Sequence, residues 1–171
     1  GARLAGVTPA GNMPHPLNLV IGDTVAAMQA FDRHMPQEVP RVSLVDTFKD
    51  EAEEALNVAR SLREKLRGIR LDTPPERGGV TPDLVKEIRS RLDIAGFRHV
   101  EIMVSGGFTA DRIREFVESG APVTSFGVGS YIAAAQPNPF ESDIHEIDGR
   151  PLAKRGRIPG ISANPRLDRI M

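Results

Sequence analysis

The stretch 68-GIRLDTPPERGGVTPDLVKEIRSRLDIAGFRHVEIMVSGG-107 decides the fold. It opens on a short apolar run, GIRLD (68–72), and passes through TPPERGG (73–79), which is dense in turn residues. A helical pattern follows over 81–96, with Thr81 at the N-cap, Pro82 at N1 and Gly96 just past the end. HVEIMVSGG (99–107) then reads as a second strand. A strand, a crossover helix and another strand predict a parallel pair.

The same unit recurs on both sides. Downstream, TADRIREFVESG (109–120) is a short helix capped by Thr109 and closed by Gly120, and VTSFGVGS (123–130) is a further strand. Upstream, RVSLVD (41–46) is a buried strand, and KDEAEEALNVARSLREKL (49–66) is a helix. Ala55, Ala59, Leu62 and Leu66 mark the helix's apolar face; its acids lie at the start and its bases at the end. TVAAMQAFDRHM (24–35) spaces Val25, Met28 and Phe31 as one helical face, with Asp23 or Thr24 as the cap. Strands thus recur every 25–30 residues or so, as βα units do. After Tyr131 the pattern stops. AAAQPNPFESD (133–143) reads as a loop, IHEIDGRPLAKRG (144–156) as a hairpin around Asp148-Gly149, and 157–171 as an irregular tail.

The bulk properties bound the function. The 171 residues suit one domain, and 40% of them are apolar, enough for a core. The net charge of −1 gives no broad attraction to nucleic acid or to an anionic membrane. With no cysteine there is no disulfide, Cys-zinc site or thiol nucleophile. No apolar run approaches the ~18 residues of a membrane span, and a soluble cytoplasmic protein is expected. The first residues, GARLAGVTPAG, lack an initiator Met and read as a mid-chain loop.

In parallel α/β folds the active site lies at the carboxyl ends of the strands. These ends carry Asp46, then Arg70 and Asp72 on one face of the second strand, then Ser105-Gly106-Gly107, then Gly127-Val128-Gly129-Ser130. Glycine turns before helices let backbone N–H groups approach an anion, so the last two strand ends are candidate phosphate sites. Tight packing at a barrel rim is the other reading. Two charges on one face of a strand are costly unless paired or set in a cleft. Arg70 and Asp72 are therefore either a site or an ion pair. In GNMPHP (11–16), prolines flank His15 and hold it on stiff backbone outside a helix, as a turn or as a presented imidazole. Asp50, Glu51, Glu53 and Glu54 read as a solvated helix start. His34, His99 and His145 read as structural or surface residues, Phe126 and Tyr131 as core, and RPLAKRGR (150–157) as solvated surface.

The motifs GNMPHPLNLVIGD (11–23), LVDTFKDE (44–51), GIRLDTPPERGG (68–79), IMVSGG (102–107), SFGVGSYI (125–132) and DGRPLAKRGRIPG (148–160) occur in an order that resembles nicotinate phosphoribosyltransferase. The resemblance runs over essentially the whole chain. It implies a type II phosphoribosyltransferase, in which an N-terminal α/β sandwich precedes an irregular α/β barrel and the subunits pair as dimers. The chain would then be a partial (β/α) barrel of about four parallel βα units over 1–135. A loop, hairpin and tail over 136–171 follow, and the sandwich is absent. Four strands do not close an eight-stranded barrel, so a second copy or the N-terminal portion is an expected partner.

The implied reaction joins nicotinate to phosphoribosyl pyrophosphate, giving nicotinate mononucleotide and pyrophosphate in NAD salvage. It is driven by ATP through a phosphohistidine, with Mg²⁺ whose ligands are unassigned. By motif, His15 resembles the phosphorylated histidine. Arg70 resembles the arginine at the ribose–pyridine site, Asp72 the acid at the ribose hydroxyls, and Asp46 an acid near the pyrophosphate or metal. Ser105, Gly106, Gly107, Gly127, Gly129 and Ser130 resemble the 5-phosphate cradle. The alternatives are another barrel enzyme acting on a phosphorylated sugar, and a non-catalytic barrel fragment that binds phosphate or a partner chain.

Overall fold

The carboxyl ends of the βα units converge because the four long-chain strands lie side by side in chain order. These are β1 (Arg41–Leu44), β2 (Leu66–Leu71), β3 (Glu101–Val104) and β4 (Ser125–Phe126), all parallel. Each unit advances one strand in the same direction, the order of a barrel segment and not of a doubly wound sheet. The computed structural model describes residues 4–7, 11, 13–137, 139 and 142–163. The rest of the opening loop and the end of the expected tail, 164–171, lie outside the described residues. Two compact units are present, 1–135 and 136–171.

Local chemistry sets the helix ends. Helices α2 (Thr24–His34), α3 (Glu51–Leu62), α4 (Pro82–Ile94) and α5 (Ala110–Glu118) are capped by Asp23, Asp50, Thr81 and Thr109. Each cap's side chain accepts a backbone N–H from the first turn, a donor that no helix bond would otherwise use. The core lies between these helices and the sheet, from Met28 through Val58, Ile69, Ile88 and Ile102 to Phe108 and Phe116. Phe126 packs against Phe108 and Phe116, with ring centroids 5.4 and 6.2 Å away.

Several expectations need correction. GNMPHP does not stay outside a helix, for His15 begins a short helix, α1 (His15–Ile21), with Pro14 at its N-cap. Proline is tolerated in a first turn, where its missing N–H would have had no partner. α3 stops at Leu62, because Arg63 takes φ 50° and a 3₁₀ turn over Arg63–Lys65 redirects the chain. Leu66 therefore starts β2, fully buried, and is not the last residue of the helical stripe. β4 is only two residues long, and Ser130 begins a short helix, α6 (Ser130–Ala133). Tyr131 is exposed there, outside the core.

Glu51 and Glu54 are buried, not solvated. They lie at i and i+3 of a stripe continued by Ala55, Val58 and Leu62, so the helical period turns them inward.

In the second unit, β5 (Glu146–Ile147) and β6 (Arg150–Pro151) pair antiparallel. Asp148 and Gly149, with φ 49° and 74°, make the two-residue turn that suits strand twist. Lys154 and Arg157 pair there with Asp143, at 2.9 and 2.7 Å.

Candidate active site

The site lies at the carboxyl ends of β1, β2 and β3, with α1 laid across them. Asp46 follows β1, and its side chain is 1% exposed. Both its oxygens lie 3.1 Å from Nε2 of His15. A carboxylate accepts only, so in the neutral ring this contact requires Nε2–H and leaves the lone pair on Nδ1. That Nδ1 faces Asp72, at 3.9 Å from Oδ2. His15 thus sits between two carboxylates from neighbouring strands.

Arg70 and Asp72 do share one face. The guanidinium lies 3.6 Å from Asp72 Oδ2, donates to Ser105 Oγ at 3.1 Å, and donates to the carbonyl of Met13 at 2.6 Å. Ser105 Oγ donates to Asp72 Oδ1 at 2.9 Å. The Met13 contact ties the segment leading into His15 to β2. Burial pushes the Asp46 carboxyl above the ordinary carboxylate range. The hydrogen bond and charge of His15 oppose that rise, and the Asp72 charge adds to it.

The glycines stand at the next two strand ends. Gly106 and Gly107 have φ 95° and 67°, the left-handed region, and lead into the Thr109 cap of α5. Gly127 is needed for space: a Cβ there would lie 2.9 Å from Ser105 Cβ. Gly129 is the N-cap of α6 and Ser130 its first residue. Among the described residues, and leaving out the flanking ones, no heavy atom lies within 4 Å of where a Cβ would stand at Gly107 or Gly129, so both turns are open. His34 and His99 lie outside this cluster, and His145 belongs to the second unit. His99 contacts the Arg63 carbonyl and His145 the Ile158 carbonyl.

Sequence reasoning missed three supports of the site. Buried Asn18, on α1, donates to Thr47 Oγ1 at 2.8 Å. Glu54 and Glu51 hold the loops that follow Asp46 and Asp72. The signal for both glutamates was their place on the apolar stripe of α3.

Among the described residues, no three His, Asp or Glu side chains come together as a metal site. Asp46 is engaged by His15, and Asp72 by Ser105 and Arg70. These residues do not fit a Mg²⁺ ion held by the protein alone. No helix among the described residues is long and apolar enough to cross a membrane.

Fold and site together define the class: a segment of a parallel α/β barrel with its reactive groups and glycine turns at the strand ends. Residues 3–141 match the family described as quinolinate phosphoribosyl transferase, C-terminal domain. The chain belongs to that family, and it corresponds to the C-terminal barrel portion of a type II phosphoribosyltransferase. It is 34% identical over 164 residues to a nicotinate phosphoribosyltransferase of Mycobacterium tuberculosis, covering 92% of this chain and 34% of that protein. It is 25% identical over 139 residues to the nicotinate phosphoribosyltransferase of Bacillus subtilis, covering 80% of this chain and 27% of that one. The crystal structure of nicotinate-nucleotide pyrophosphorylase from Pyrococcus furiosus is similar, with a TM-score of 0.74 and 44% identity. That match covers 94% of this chain and 41% of the Pyrococcus chain. The chain spans about a third of the length of the curated relatives it matches.

Proposed function

We propose that the chain carries the catalytic barrel segment of an ATP-coupled nicotinate phosphoribosyltransferase acting in NAD salvage in the cytoplasm. The observation that carries this reading is the His15 imidazole held between Asp46 and Asp72. With Nε2–H directed at Asp46, Nδ1 is the nucleophile. Its lone pair attacks the terminal phosphorus of ATP, the P–O bond to ADP breaks, and ADP leaves with that electron pair. The ring then carries positive charge, which Asp46 stabilises through its contact with Nε2–H.

Displacing pyrophosphate from the anomeric carbon builds positive charge on the ribose ring. Positioning and fixed charges serve such a step better than a strong base. Asp72, beside Arg70 and Ser105, accepts hydrogen bonds from ribose hydroxyls in this reading. The guanidinium of Arg70 takes the carboxylate of nicotinate or a phosphate oxygen. The turns at Ser105-Gly106-Gly107 and Gly127-Gly129-Ser130 cradle the 5-phosphate with backbone N–H groups. Bound with a substrate, Mg²⁺ would supply neutralisation of the phosphate charge. The sheet edges at β1 and β4 are covered by a second copy or by an N-terminal portion.

The test is His15→Ala, assayed for nicotinate mononucleotide with and without ATP. The variant is expected to lose the ATP-stimulated part of turnover and the acid-labile phosphoprotein. ATP stimulation that survives the substitution overturns the reading. Calorimetry of the chain with phosphoribosyl pyrophosphate and nicotinate separates binding from inertness.

A second base, quinolinate, is favoured by the family description. Quinolinate carries one more carboxyl group than nicotinate, so forming the same mononucleotide from it releases CO₂. Parallel assays with nicotinate, nicotinamide and quinolinate decide the base, with CO₂ release marking the third.

A further inference from the structure

Two Asp-Thr pairs stand at equivalent places, Asp46-Thr47 after β1 and Asp72-Thr73 after β2. Each threonine is pegged to a different glutamate on the same helix. The Thr47 N–H donates to Glu54 Oε2 at 3.3 Å, and the N–H groups of Phe48 and Lys49 donate to Oε1 at 2.8 and 3.1 Å. The Thr24 hydroxyl completes that carboxylate at 3.0 Å. The Thr73 hydroxyl donates to Glu51 Oε1 at 2.8 Å, and Arg77 grips both oxygens of Glu51 at 3.0 and 3.2 Å. Both glutamates are 3% exposed. Burying a carboxylate is tolerated only when its oxygens are satisfied, and here each is.

Glu51 and Glu54 are three residues apart, on adjacent turns of one face of α3. Their separation is therefore set by rigid helix, while the loops they hold are not regular structure. Each peg falls on the residue immediately after a carboxylate that faces His15. Thr47 also accepts from Asn18, on the helix that His15 begins. The imidazole, its two carboxylates and the first turn of α3 thus form one connected unit.

We propose that Glu51 and Glu54 are positioning residues: one turn of α3 sets the separation of Asp46 and Asp72, and so seats His15 between them. The catalytic consequence rests on His15 being the reacting group, whereas the geometric claim does not. The test uses Glu51→Gln, Glu54→Gln, Thr73→Val and Thr73→Ser, with Glu87→Gln on the exposed face of α4 as control. ¹⁵N spectra of the His15 ring at alkaline pH read the Nε2–H tautomer in the resting chain, without turnover. Glu51→Gln, Glu54→Gln and Thr73→Val are expected to mix the tautomers, and Thr73→Ser and the control to keep the parent signature. Glu51→Gln combined with Thr73→Val is expected to be no worse than Glu51→Gln alone, because the two changes act on the one Thr73–Glu51 contact and only Glu51→Gln also reaches Arg77.

In kinetics, kcat is expected to fall between about ten- and a hundredfold, with KM for phosphoribosyl pyrophosphate within about twofold. Folded variants that keep the parent tautomer signature overturn the proposal. Should Glu51→Gln fail to fold, the Thr73 pair still decides, since it leaves the Glu51–Arg77 contact in place. Altered tautomers with turnover unchanged from the parent would overturn the catalytic reading of His15 and leave the positioning role supported.

Discussion

Asp46 is the residue where burial and chemistry oppose each other most directly. Its carboxyl is held above the unfolded value of 3.8, chiefly by burial. The folded chain therefore binds this proton more tightly than the unfolded chain does. Asp46 costs stability at neutral pH, and the cost fades as pH falls through its folded pKa towards 3.8. The groups facing it are His15 and Asp72, with Arg70 and Ser105 behind. Asp46→Asn is expected to flatten this component of the stability curve, read as denaturant midpoints between about pH 4 and 7. A curve parallel to the parent's would contradict it. Gly127→Ala tests the packing beside the cradle. Its Cβ must displace Ser105, which holds both Arg70 and Asp72. A loss of about 1–3 kcal/mol is expected by chemical denaturation, together with weaker substrate binding.

Among the elements, α3 joins local sequence rules to the site. Asp50 caps it by accepting from the Glu53 N–H, and Asp50→Ala should cost about 1 kcal/mol, read as a lower thermal midpoint. Its start and its apolar face were legible because capping and a 3.6-residue period are local properties. Its end was not: Leu66 continues the helical spacing, yet pairs with Arg41 at the start of β2. The strand ladder and full burial offered by β1 outweigh one more helical turn. Leu66→Ala is expected to destabilise by about 2–5 kcal/mol, the usual cost of emptying a buried leucine site. By charge alone, the two inward glutamates look like part of a solvated helix start. Only their partners, Thr24, Thr73, Arg77 and the 47–49 backbone, make that burial tolerable.

For the whole molecule, the sheet decides behaviour in solution. Its order, β1-β2-β3-β4, leaves an edge at each end among the described residues. Unpaired strand edges are templates for another chain. Light scattering is expected to show a mass above the 18.6 kDa of one chain, and a stable monomer would contradict this. Apolar Leu19 and Val20 stand exposed on α1, the helix that carries His15. Changing both to Ser should lower the association without altering the ring contact of His15 to Asp46, a difference visible by sedimentation and ¹⁵N spectra.

The alternation of strands and helices, the caps, the parallel sheet and the strand-end location of Arg70 and Asp72 follow from the order of residues alone. The caps and the helix and strand periods rest on neighbours within a few turns of chain, and the parallel sheet on the repeated order of the units. What depended on the tertiary fold is which distant groups meet. His15 and Asp46 are 31 positions apart and Arg70 and Ser105 are 35, and no local rule relates them. The sheet register and α1 lying over the strand ends bring them within hydrogen-bond distance. The helical period points Glu51 and Glu54 inward, but a buried charge is stable only where the rest of the fold supplies its partners.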